Sequence, residues 1–159
     1  MRAPKLVQLM KANSSNMSAE LVKKIRKSNR CSDLLRRVPE SEQKQYALEI
    51  YRDLTEWLTN ETDSILEKPY VALGIHRAGQ AVPQFKTFWA VAIARDHFWD
   101  YVQQECLHEE PVEFWGGVRL LRLLDSFFDQ VFYCVLLGYE RAGKNESMAL
   151  SFLARRRSA

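Results

Sequence analysis

Residues 83–108 read PQFKTFWAVAIARDHFWDYVQQECLH, and their spacing decides the fold. Steps of three and four from Phe85 give one seam, Phe85, Trp89, Ala92, Asp96 and Trp99. A neighbouring seam holds Phe88, Val91, Arg95, Phe98 and Val102. That period belongs to a helix, and Pro83 suits the first turn because its missing N–H is not needed there. Residues 111–141 repeat the pattern. Pro111 opens a helix from Val112 to about Arg141 with one seam of Phe114, Val118, Leu121, Asp125, Phe128, Phe132 and Val135. The other seam is Leu120, Leu124, Phe127, Val131 and Cys134. Two adjacent apolar seams are wider than one neighbour can cover, which predicts both helices to be central.

Outward from this pair, the rest of the chain also reads as helix. Ser18 is a candidate N-cap for a helix running to about Arg37. Val38 precedes Pro39 and is thereby pushed out of the α region. Ser41 caps a helix to Thr59 with Ala47, Ile50, Leu54 and Trp57 on one stripe, widened by Tyr51 and Leu58. Pro69 fits the first turn of another, which Gly79 would stop. Composition agrees, with 19 Leu and 14 Ala against 11 Val, 5 Ile and 4 Thr. The expected fold is an all-α helical bundle of about five main helices. Residues 1–17 are expected as an N-terminal arm or short helix, 18–142 as the helical domain, and 143–159 as a basic tail.

Several classes of function lose their support. The 159 residues carry 23 Lys and Arg against 20 Asp and Glu, and a net charge of +3 does not argue for nucleic acid. The first 20 residues lack the apolar run of a signal peptide. The most apolar stretch, 131–138, falls far short of the ~20 residues of a membrane span. Cys31, Cys106 and Cys134 are odd in number and form no CxxC pair, which predicts buried thiols in a reducing, cytoplasmic setting. Phosphate-loop, dinucleotide, zincin and hydrolase motifs are not found in the sequence. No two of His76, His97 and His108 are three or four residues apart, so no metal or cofactor is expected. The carboxylate pairs Glu49/Asp53 and Asp125/Asp129 share helical faces but are more often surface pairs.

The unusual feature is charge inside apolar seams. Arg95, Asp96 and Asp125 have aromatic or aliphatic helical neighbours, and an unpaired buried charge costs several kcal/mol. They are therefore expected to pair with one another or with Arg77. Such a group could be a structural ion-pair network, or the phase of the seams could be off by one residue. It could also be a polar ligand site of Arg77, Arg95, Asp96 and Asp125 walled by Trp89 and Trp99. No catalytic residue is readable.

From about Glu20 to Ala142 the order of features resembles the N-terminal sensory domain of RsbR-type co-antagonist proteins. The residues that carry the likeness are Trp57–Leu58, the run LGIHRAGQAVP at 73–83, ARDHFWDY at 94–101, LDSFFD at 124–129 and GYERA at 138–142. The resemblance implies an all-helical, globin-like fold without haem, often dimeric, acting in bacterial stress signalling as a signal-input or protein-docking module. Its partner would be a kinase, phosphatase or regulator. Since 17 residues follow Ala142, the output is expected from that partner. The family implies no catalytic residues.

Overall fold

The computed structural model describes residues 3–60, 64–106 and 111–158, and their side chains except at 106 and 111–117. Among the described residues six α-helices follow one another: α1 (Ala3–Lys27), α2 (Ser32–Arg37), α3 (Glu40–Asn60), α4 (Ser64–Gly79), α5 (Gln84–Cys106) and α6 (Pro111–Arg157), with a 3-10 turn at Asn29–Cys31. Among the described residues there is no strand. The protein is an all-α helical bundle, and five of its helices are long.

The helices pair as α4 on α6 and α1 on α3, with α5 laid against α6, α1 and α4. One core runs through all five long helices; Leu6, Tyr51, Leu54, Leu66, Phe98, Leu124, Phe127 and Phe128 are almost wholly buried in it. Each large side chain contributes about 1.5–3 kcal/mol by leaving water. A satellite of Leu34, Val38 and Val82 closes the end near the α4–α5 turn.

At the α4–α6 crossing the two backbones touch. A Cβ on Gly74 would stand 3.0 Å from Gly138 Cα and collide with the Val135 carbonyl oxygen. One on Gly138 would stand 2.9 Å from Gly74 Cα and collide with the Val71 carbonyl oxygen. Glycine lowers intrinsic helix propensity by ~1 kcal/mol against alanine, yet only glycine fits here.

The expected caps are displaced in several places. Ser18 is not an N-cap: α1 is continuous from Ala3, so residues 3–17 are helical. Ser18 sits buried in mid-helix, its hydroxyl donating to Ser14 O at 2.7 Å and reaching Ala47 O on α3 at 3.3 Å. A serine hydroxyl serves a cap or a back-bond equally well, and tertiary contact selects the second. The expected helix to Arg37 instead breaks at Ser28, which is extended (φ −80°, ψ 117°). Val38 is extended as its proline requires (φ −113°, ψ 123°). Helix α3 begins one residue before Ser41. Pro69 lies inside α4, not in its first turn. Finally, α6 continues beyond the expected end near Arg141 to Arg157.

Gly79 is the last residue of α4, but the left-handed residue after the helix is Ala81, with φ 58°. Ala81 N donates to Ala78 O at 3.0 Å and Val82 N to Arg77 O at 3.1 Å, the paired bonds of a Schellman cap. Alanine holds that conformation at a cost of ~1–2 kcal/mol, which glycine does not incur. Ala81→Gly is therefore expected to stabilise the protein by about 0.5–1 kcal/mol after the added unfolded-state entropy, read from urea unfolding. An unchanged or lower midpoint would show that the cap is not strained.

Candidate functional site

The buried ionic centre of the molecule is built on Arg77, in the last turn of α4 and only 4% exposed. Its Nη1 donates to Glu42 Oε2 on α3 at 2.7 Å and to Gln80 Oε1 at 2.7 Å. Gln80 Nε2 donates to the same Glu42 oxygen at 3.1 Å, and His76 Nε2 lies 3.2 Å from it. The guanidinium also stands 4.7 Å from the centre of the Tyr46 ring, one helical turn after Glu42. Burial raises the Glu42 carboxyl pKa, but the bonds from Arg77, Gln80 and His76 outweigh it and hold the group below its ordinary value. Burial also pushes the Tyr46 hydroxyl up.

This centre forms one edge of a half-open cavity of about 80 Å³ between α1, α2, α3, α4 and α5. Its other walls are mostly apolar, Leu21, Ile50, Leu73 and Val91 among them. Gln43 also lines it. The Gln43 amide donates to Val38 O at 2.9 Å, while its buried Oε1 has no partner. The Ala81 cap beside the centre is tied to α6 by Tyr139. Its hydroxyl donates to Val82 O at 2.8 Å and accepts from Thr87 Oγ1 at 2.8 Å.

The other residues expected in a polar centre are not brought to Arg77. Arg95 and Asp96 do pair, Nε to Oδ1 at 3.3 Å, but at the surface, with side chains 37% and 68% exposed. Arg95 leans over the Phe132 ring at 5.7 Å. Asp125 is exposed on α6. Trp89 is half-buried beneath the Arg30 guanidinium at 4.1 Å, and Trp99 is half-buried against the main core. The cause is a shift of phase: the stripe of α5 facing the core is Thr87, Val91, Ala94, Phe98 and Val102. Aromatic residues on the outer side mimicked a second buried seam. Glu42, Tyr46 and Gln80, which complete the centre, carried no sequence signal, since α3 and α4 meet only in the tertiary fold.

The same phase shift buries His97. It is 6% exposed, its Nε2 is 3.2 Å from Met17 O, and its Nδ1 has no partner. Burial, followed by the charge of Lys24, lowers its pKa against smaller opposing effects of the Met17 carbonyl, Glu20 and Asp100. A second proton would create a buried N–H without an acceptor. The unfolded chain thus binds that proton more readily, near pH 6.5. Stability is full above that value and falls as pH drops towards the lower folded pKa. Melting temperature is expected to decline from pH 7 to 5 more steeply in the wild type than in His97→Gln. Parallel profiles would refute this.

Cys31 and Cys134 are buried free thiols whose pKa values burial pushes up, which makes them poor nucleophiles. Asp53 accepts the Tyr70 hydroxyl at 2.9 Å and pairs with Arg52, so its partnership is not with Glu49, which accepts from Gln45. His108 and its flanking carboxylates lie outside the described residues, as do the side chains of Cys106 and Phe114. Among the described residues no group of three His, Cys, Asp or Glu is placed to hold a metal ion, and no helix is long and apolar enough to cross a membrane. No family model, no curated protein and no solved structure matches the chain.

Proposed function

We propose that this chain is a non-enzymatic bacterial signal-input or adaptor module of the RsbR-type kind, dimeric and cytoplasmic. It passes its signal through protein–protein contacts to a kinase, phosphatase or regulator. The observation that carries this reading is an aromatic patch on the outer side of the α5–α6 pair. Phe88 stacks on Phe132 at 4.4 Å. Phe85 lies one turn before Phe88, and Leu136 one turn after Phe132. Phe85 is 64% exposed, Phe88 and Leu136 38% each. Apolar surface of this kind, gathered across two helices, is what an isologous dimer buries. The order of sequence features shared with the RsbR-type domains supports the signalling role.

Sedimentation equilibrium tests it. The wild type is expected to be dimeric at micromolar concentration, and Phe85→Glu/Phe88→Glu monomeric with an unchanged helical circular dichroism spectrum. A wild type that stays monomeric at every usable concentration, or a variant that stays dimeric, overturns the dimer.

A second reading, a small-molecule sensor with a polar site inside the bundle, is favoured by the cavity beside Arg77 and the unpartnered Gln43 oxygen. At about 80 Å³ it accommodates a ligand of a few non-hydrogen atoms that donates one hydrogen bond. A ligand-induced rise in melting temperature, lost in Gln43→Leu, would favour this second reading.

A further inference from the structure

Helix α6 has 47 residues and is about 70 Å long, roughly two to three times the length of α5 and α4 on which it packs. From Gly143 to Arg157 every residue is exposed. Yet this segment is not polar. Met148 is 71% exposed, Leu150 62%, Phe152 58% and Leu153 55%, making it the most apolar exposed stretch of the described chain.

The residues fall into an ordered pattern. Ser147, Ser151 and Arg155 recur every four residues and form one narrow row. Between Ser147 and Arg155 every residue off that row is apolar: Met148, Ala149, Leu150, Phe152, Leu153 and Ala154. At 100° per residue the apolar arc spans roughly 240° of the helix. That is broader than the stripe a single helical partner or groove covers, and partial immersion in an apolar layer covers it without shape matching.

Charge specifies the layer. Residues 143–159 hold Lys144, Arg155, Arg156 and Arg157 against Glu146 alone, which equals the whole net charge of +3, so the first 142 residues balance. The surplus is concentrated at the far end of the apolar segment. Arg156 lies over the Phe152 ring at 4.9 Å, so its stem follows the apolar face while its head remains free to reach outward. Nucleic acid would use the arginines but leave four large apolar side chains in water. An anionic lipid surface uses both.

We propose that residues 143–157 form a docking helix for a membrane surface rich in anionic lipid. The helix lies in the interface, with Met148, Leu150, Phe152 and Leu153 inserted, the Ser147–Ser151–Arg155 row facing water, and Arg156 and Arg157 on the headgroups. The role is independent of the dimer surface and of the cavity beside Arg77.

Vesicle co-sedimentation of the full chain is the test. Binding is expected to phosphatidylcholine vesicles containing phosphatidylglycerol, weakening steeply with added salt, with little binding to phosphatidylcholine alone. Replacing Arg156 and Arg157 by serine should weaken it on the order of 25-fold, since each arginine on the headgroups contributes about a factor of five. Phe152→Ser/Leu153→Ser should also weaken it at least tenfold at unchanged charge. All these positions are exposed, so circular dichroism melting should not move. No binding to anionic vesicles overturns the proposal. So does binding that survives Phe152→Ser/Leu153→Ser, or equal affinity for a DNA duplex regardless of those two residues.

Discussion

Gly138→Ala is expected to lower the stability of the protein by about 3 kcal/mol or more, seen as a fall of about 6–12 °C in melting temperature. The new methyl group would meet the Val71 carbonyl oxygen and Gly74 Cα, both backbone atoms of α4. A side chain can rotate away from an added methyl; a helix backbone can yield only by moving as a unit. Separating α4 from α6 would loosen the most extensive helix pairing of the bundle and the core side chains on either side. Gly74→Ala should cost a similar amount, because its Cβ meets the Val135 carbonyl. Gly143→Ala is the control. Nothing lies within 4 Å of a Cβ at that position, and alanine there should stabilise α6 slightly through helix propensity. If Gly138→Ala melts no lower than the wild type, the close crossing is wrong.

Arg77→Met is expected to cost about 3 kcal/mol. The change leaves the Glu42 carboxylate, already two-thirds withdrawn from water, without its cation, and removes the group stacked on Tyr46. Most of that cost is the penalty of the orphaned partner, so Glu42→Leu added to Arg77→Met should recover a large part of it. A double-mutant cycle by urea unfolding measures the coupling. Additive losses would mean that the pair does not interact energetically. The acid limb gives a separate check. The Glu42 carboxyl is held below its ordinary value of about 4.3, so its contribution is complete above that pH and disappears as pH falls through the lower folded value. Glu42→Gln should lose less stability than the wild type on acidification below pH 4.3.

Periodicity in residues 83–108 and 111–141 is enough to read two long helices, and it puts Phe98, Val102, Leu124, Phe127 and Val131 in the core, where the structure has them. The phase was less secure. In α5 the aromatic residues Phe85 and Phe88 occur on the outer side, and the interior accepts Thr87 and His97. A hydrophobicity pattern assigns faces by residue type, so an apolar outer face and polar interior residues rotate the assignment by one position. That single rotation carried Arg95 and Asp96 from the expected centre to the surface and brought His97 inside.

By itself, the sequence determined the class of the fold, the helical period of the segments at 42–59, 83–108 and 111–141 and the break at Val38–Pro39, because these follow from local backbone and side-chain chemistry. Only the tertiary structure decided which residues share a site. Arg77 meets Glu42 across 35 residues, Gly74 meets Gly138 across 64, and Ser18 joins Ala47 instead of capping a helix. Each is a contact between helices, whose rotation and separation are set by packing the whole core at once and by no local stretch of the chain.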